Sequence, residues 1–107
     1  MPIRNCKDRR TAAFMAGERI REFHAFAPKA VKAITKLQAA VRLGDLRYPP
    51  SNHFEALVGD RAGQYSIRVD GRWRVCFRWA FDESQGVDPL LVPGEPYDVE
   101  ITDDHKG

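Results

Sequence analysis

The sequence predicts an α+β fold in which two N-terminal helices pack on one face of a small antiparallel β-sheet. Two observations carry that prediction. Helical spacing of apolar residues is confined to the first part of the chain, and strict alternation takes over from Gln64 onward. A third, the Asp70-Gly71 dipeptide between two alternating runs, marks a hairpin and so an antiparallel sheet. Helices followed by strands, rather than interleaved with them, read as helices segregated to one side.

Ile3 to Lys7 is long enough only for a short edge strand. Asp8 to Phe26 mixes charge with Ala12, Phe14, Met15, Ile20 and Phe23, which predicts a short helix interrupted near Gly17. From Pro28 to Arg42 the pattern is clearer. Pro28 suits a first helical turn, and Val31, Ile34, Leu37 (or Gln38) and Val41 recur at spacings of three and four. Lys29, Lys32 and Lys36 take the other side, and Gly44 reads as the stop. Leu46 to Asn52, with Pro49-Pro50-Ser51-Asn52, is a turn or ordered loop. Phe54 to Val58 is a short strand ending in the turn segment Gly59 to Gly63. Gln64–Val69, Trp73–Trp79 and Tyr97–Thr102 then alternate as three strands of a meander. The stretch 82–96 between the last two holds three prolines, three acids before Pro96's glutamate neighbour, and Leu90-Leu91-Val92. A loop of that length is functional or disordered, and its composition is compatible with folding over the sheet, meeting a partner or extending into solvent.

The hairpin frame decides which side chains share a face. A two-residue turn at Asp70-Gly71 pairs Val69 with Arg72 and mixes apolar with basic residues. A three-residue loop pairs Val69 with Trp73 and Ile67 with Val75. Burial of one face favours the second frame. Tyr65, Ile67, Val69, Trp73, Val75 and Phe77 then share the core face. Ser66, Arg68, Arg74, Cys76 and Arg78 share the other, from which three arginines are expected to project.

The chain has 107 residues, 43% hydrophobic, with eleven aromatics (six Phe, three Tyr, two Trp), enough for one modest core and one domain, 1–107. Its net charge is only +2, from 17 basic and 15 acidic residues, but the charges are segregated. Five arginines face one aspartate between Arg61 and Trp79, while Phe81 to Asp104 carries eight acids and no Lys or Arg. A basic strip beside an acidic stretch allows a polyanionic partner. The two cysteines, Cys6 and Cys76, have no metal-ligand spacing, so neither metal nor cofactor is expected. With no apolar leader-like run at Met1–Lys7 and no segment able to span a membrane, a reduced cytoplasmic setting is expected.

An ordered series of motifs carries a family resemblance. Leu46-Arg-Tyr-Pro-Pro-Ser-Asn-His53, Leu57-Val-Gly-Asp-Arg61, Gly63-Gln-Tyr-Ser-Ile-Arg-Val69, Trp73-Arg-Val-Cys-Phe-Arg-Trp79 and Asp98-Val-Glu-Ile-Thr-Asp-Asp-His105 together resemble the HigB branch of the RelE superfamily. Leu46 to Trp79 is the most specific part. The resemblance implies a RelE-like fold and a toxin of a type II toxin–antitoxin pair that cleaves mRNA in the ribosomal decoding site without metal. It also implies a cognate antitoxin, typically with a helix-turn-helix domain, and basic surface that grips ribosomal RNA.

Such cleavage needs a group to take the 2′-hydroxyl proton, cations for the phosphorane charge and a donor for the leaving oxygen. Arginine suits the second task, because its fork binds phosphate bidentately and stays charged. Arg68 and Arg74 match positions that carry catalytic or phosphate-binding basic residues in the family. His105 matches its C-terminal histidine, a general acid or base; a histidine two residues from a chain end would otherwise be a frayed side chain. Arg61, Arg78 and His53 are expected to touch RNA, against the plainer readings of a turn residue, a solvated strand residue and a loop histidine. Cys76 reads as a small strand residue and His24 as structural or exposed. Three departures matter, one being the long 82–96 connection where relatives have a short turn. Asp104 stands where the family usually has tyrosine, and Val58 where some relatives place lysine; both imply weakened cutting. The alternative is therefore a weak or impaired toxin that binds ribosome or antitoxin without efficient cleavage. A plain RNA-binding domain would fit the basic strip but not the ordered motifs.

Overall fold

A computed structural model of the chain describes residues 3–103. Helices α1 (Arg9–Met15) and α2 (Ala27–Ala39) precede a four-stranded antiparallel sheet of β1 (Glu55–Ala56), β2 (Tyr65–Asp70), β3 (Trp73–Phe81) and β4 (Gly94–Asp103), ordered β1-β2-β3-β4. This is the predicted α+β meander. The Ile3–Lys7 stretch forms only an isolated parallel bridge, Cys6 with Val99, along the outer edge of β4. Its backbone bonds (Arg4 N to Pro96 O, 2.9 Å; Lys7 N to Val99 O, 2.8 Å) nonetheless cover an edge that would otherwise be open.

The interruption near Gly17 is real: α1 ends at Met15, Gly17 takes φ +96°, and a 3-10 helix, Arg21–Phe26, leads into α2. That turn delivers Phe23 and Phe26 to the core, where both rings meet Trp73 at centroid distances of 5.8 and 4.9 Å. Pro28 lies in the first turn of α2, as its fixed φ allows.

The buried stripe of α2 differs from the expected one. Ala30, Ala33, Ile34 and Leu37 are buried, whereas Val31 and Val41 are 54% and 53% exposed. Two alanines on the inner stripe carry so little hydrophobic weight that the neighbouring valines dominated the pattern, yet small side chains let a helix backbone approach a sheet closely. Val41 also lies past the end of the helix, which stops at Ala39. Gly44 is not its stop. It sits in a 3-10 helix, Leu43–Arg47, with its N–H on Leu90 O at 3.2 Å; a Cβ there would lie 2.7 Å from that oxygen. Asp45 in the same helix accepts from the N–H groups of Val41 and Arg42 at 2.9 and 3.0 Å.

Neither simple hairpin frame is adopted whole. Gly71-Arg72 makes a two-residue turn with Gly71 at φ +52°, pairing Asp70 with Trp73; further along, Ile67 pairs with Val75 and Tyr65 with Phe77. The expected Val69–Trp73 pair is replaced by a bulge between Arg68 and Asp70. The tight turn and the hydrophobic register conflict by one residue, and the bulge absorbs it. The core face is then sealed: Ile67, Val75, Phe77, Val99 and Ile101 are all fully buried under the helices. Buried Thr11 fastens α1 to β4 by accepting from Ile101 N at 3.0 Å.

Strand β4 begins at Gly94, so the predicted 82–96 connection is 82–93. It folds back on the segment after α2. Arg42 Nε donates to Leu91 O at 3.0 Å, Gly94 N donates to Val41 O at 3.0 Å, Val92 is buried and Leu90 packs against the core.

Candidate functional site

Across the sheet, Ser66 pairs with Cys76 and Arg68 with Arg74, while on the far side Arg74 pairs with Thr102 and Cys76 with Glu100. Ser66, Arg68, Arg74 and Cys76 therefore share the face turned away from the helices, as alternation predicts. That face is not open to solvent, however. Residues 53–64 return over it as a roof. His53 and Glu55 reach Arg74, Arg61 Nη2 lies 3.6 Å from Glu100 Oε1, and Gly63 sits against the Arg78 guanidinium, 2.9 Å from where a Cβ would be. The expectation of three projecting arginines is corrected accordingly. Arg68 is exposed, Arg78 is half-buried and Arg74 is only 7% exposed.

Arg74 is spent on its own fold. Its Nε donates to the Ser66 hydroxyl at 2.7 Å, and Nη2 donates to the His53 carbonyl and, at 3.5 Å, to the Ser66 carbonyl. Nη2 also lies 3.3 Å from Glu55 Oε1. A guanidinium keeps its charge under burial, so it can sit beneath the roof only because donors and charge are matched there. Ser66, fully buried, is the residue whose importance the pattern did not disclose: a lone small polar side chain on a strand reads as surface until its partner is seen.

The roof leaves two openings, one on either side of Arg74, since Arg68 lines the first and Thr102 the second. The first is a groove of about 320 Å³ at the β2 edge. Lys29, Lys32 and Lys36 of α2 form one wall, Ser51 and His53 another, and Arg68 and Asp70 a third. Exposed His53 has a left-handed backbone, φ +48°, and its Nε2 stands 3.4 Å from Arg68 Nη1. Just before it, Asn52 is buried; its amide donates to Leu46 O and Tyr48 O at 3.1 Å each, and its oxygen accepts from Lys36 Nζ at 2.6 Å. These bonds tie the 51–53 corner to α2, so the lysine stripe, read from sequence as the solvated side of a helix, becomes a wall. Lys29 also pairs with Asp70 at 3.0 Å.

The second opening, also about 320 Å³, is lined by Leu57, Val58, Asp60, Arg61, Cys76, Thr102 and Asp103. Val58 stands at its rim, 83% exposed. Arg61 is held by Gln64 Oε1 at 3.1 Å and by Glu100, and Asp103 pairs with Arg72 at 3.0 Å. Asp104 and His105, which the sequence singles out, lie outside the described residues. His24 is exposed, and neither Cys6 nor Cys76 is in a disulfide. Among the described residues, no three His, Cys, Asp or Glu side chains converge on one point, and no helix is long and apolar enough to cross a membrane.

Of the predicted site residues, then, the fold brings His53 and Arg68 together in the lysine groove and sets Arg74 behind them. Arg61 belongs to the roof itself and Arg78 lies against it, both away from that groove.

Comparison with known proteins agrees with this architecture. Residues 12–91 match the family model described as the RelE-like toxin of type II toxin–antitoxin system HigB. Over 43 residues the chain is 49% identical to Toxin HigB-1 of Vibrio cholerae serotype O1 (strain ATCC 39315 / El Tor Inaba N16961), a stretch that covers 40% of this chain and 45% of that relative. The alignment thus spans less than half of the curated relative. The family match extends over most of the chain, from α1 through the loop before β4. The chain belongs to the RelE-like HigB toxins of type II toxin–antitoxin systems.

Proposed function

We propose that this toxin is a ribosome-dependent endoribonuclease that cuts mRNA in the cytoplasm by attack of a 2′-hydroxyl on the adjacent phosphate. A helix-turn-helix antitoxin holds it in check. The observation that carries the reading is the groove in which exposed Arg68 and His53 meet three lysines of α2. A polyanion gains from such a concentration of cations, and the guanidinium fork fits a phosphate in two places. In this reading Arg68 receives the scissile phosphate, Arg74 supports the site from behind, and His105 works as an acid or base, as the family resemblance implies. Arg61, bound to Glu100, and half-buried Arg78 make secondary contacts with RNA.

A second reading rests on Val58. An exposed valine stands on the rim of the second opening where some relatives carry lysine, and a toxin short of that cation would occupy the ribosome while cutting slowly. Primer extension on a message translated in a reconstituted system separates the two. New ends in ribosome-bound but not free RNA, lost in Arg68→Ala, are the expected result. Arrested translation with intact message would favour the second reading, and no effect on either would overturn both.

A further inference from the structure

We propose that His53 takes the 2′-hydroxyl proton in this cleavage and that Arg74 is its positioning residue, acting through the His53 backbone rather than on the phosphate. The proposal rests on the ribonuclease reading above. Arg74 is 7% exposed, and its Nε and Nη2 are occupied by the Ser66 hydroxyl, the Ser66 and His53 carbonyls and the Glu55 carboxylate. A phosphate could bind it in two places only by lifting the roof. Its bond to the His53 carbonyl, by contrast, pins a residue held at φ +48°, a backbone state uncommon outside glycine. Asn52, anchored to Leu46, Tyr48 and Lys36, pins the same corner from the other side. With its N–H on Pro50 O and its carbonyl on Arg74, the His53 backbone is fixed at both ends, and the ring it carries lies within 3.4 Å of Arg68.

The orientation also carries chemical content. Arginine has donors and no acceptor, so a bond between Arg68 Nη1 and His53 Nε2, 3.4 Å apart, requires the tautomer in which Nε2 carries its lone pair toward Arg68. That is the state a general base requires. When a phosphate takes Arg68, the lone pair is released beside it. The 2′-oxygen forms its bond to phosphorus as Nε2 takes its proton; the bond from phosphorus to the 5′-oxygen breaks, and that oxygen leaves with a proton from His105 or water. The products are a 2′,3′-cyclic phosphate and a 5′-hydroxyl, with no redox change. Among the described residues, the charged groups that line the groove with His53 are Lys29, Lys32 and Lys36 from α2 and Arg68 and Asp70 from β2, while Arg74 of β3, paired with Glu55 of β1, meets the His53 carbonyl.

The test is single-turnover cleavage of message on programmed ribosomes between about pH 5.5 and 8.5, the range in which histidine titrates. Wild type, His53→Gln, Arg74→Ala and the double variant are compared, each first checked for a cooperative thermal melt. His53→Gln is expected to cut at least ~100-fold more slowly and to lose the rise in rate with pH. Arg74→Ala should be slower but keep that rise, and the double variant should be no slower than His53→Gln alone. If Arg74→Ala fails to fold, Arg74→Lys is read by the same criteria, with a smaller loss. A full rate or an unchanged pH profile in His53→Gln overturns the proton transfer. Losses that multiply in the double variant overturn the positioning role and return Arg74 to the phosphate. A wild-type protein that leaves the message whole overturns the ribonuclease reading, and this proposal with it.

Discussion

The two faces of the sheet are built from alternate residues of the same strands, yet they are closed by different physics. Under the helices, Ile67, Val75, Phe77, Val99 and Ile101 lose all contact with water, and the driving force is area removed from solvent. On the other face, Arg74 and Ser66 are nearly as buried, but beneath a polar roof held by directed hydrogen bonds and two ion pairs. The first closure tolerates any apolar side chain of similar volume. The second tolerates little, because each donor has a particular acceptor and a buried orphan is costly. The groove that holds Arg68 and His53 lies beside the polar closure, where directed bonds hold the 51–53 corner in one orientation.

The comparison can be broken most severely from the apolar side. Phe77→Ala should cost about 3–5 kcal/mol, a large share of the stability of a domain this size, read from urea unfolding with an unchanged slope. Arg74→Met comes next, at about 2–3 kcal/mol, because it strands the Ser66 hydroxyl and the His53 carbonyl under the roof. Adding Ser66→Ala sharpens the point. If the polar closure works by matched partners, the double variant should recover about 1 kcal/mol of that loss; a further fall would mean that Ser66 contributes by packing.

The smallest effect belongs to Asp45, far from either face. The N–H groups of Arg42 and then Val41 hold its carboxyl below the usual carboxylate range. A depressed value means stability present above the unfolded carboxylate range and lost as pH falls through the folded one. Asp45 is exposed, so solvent screens the contribution, and Asp45→Asn should cost about 0.5 kcal/mol at neutral pH. Thermal melts should show that difference shrinking as the solution is acidified.

Much of the fold is legible in the sequence alone. The order of elements, the break near Gly17, the 67–75 pairing and the sharing of one face by Ser66, Arg68, Arg74 and Cys76 all follow from local spacing. The misreadings have a common origin. Val31 and Val41 outweighed Ala30 and Ala33 because hydropathy scores a side chain in isolation, while α2 is positioned by how closely its backbone can approach the sheet. Gly44 looked like a helix stop because its contact with Leu90 joins segments 46 residues apart in sequence (90 − 44). Within the site, Arg68 and His53 were legible as polar groups of suitable chemistry, but Asn52, Ser66 and the lysine wall were not, since each acquires its role from a partner on another element.

The sequence by itself determined which side chains each strand presents together, because the alternation of a β-strand is a property of consecutive residues and needs no partner. Family membership was legible on the same terms, through motifs read in order. Only the tertiary structure decided that Arg74 is buried and Arg68 is not. Exposure depends on what returns to cover a surface. Here that is the 53–64 segment, whose path is set by the Asn52–Lys36 bond just before it and by its contacts with Arg74 and Glu100, all distant in the chain.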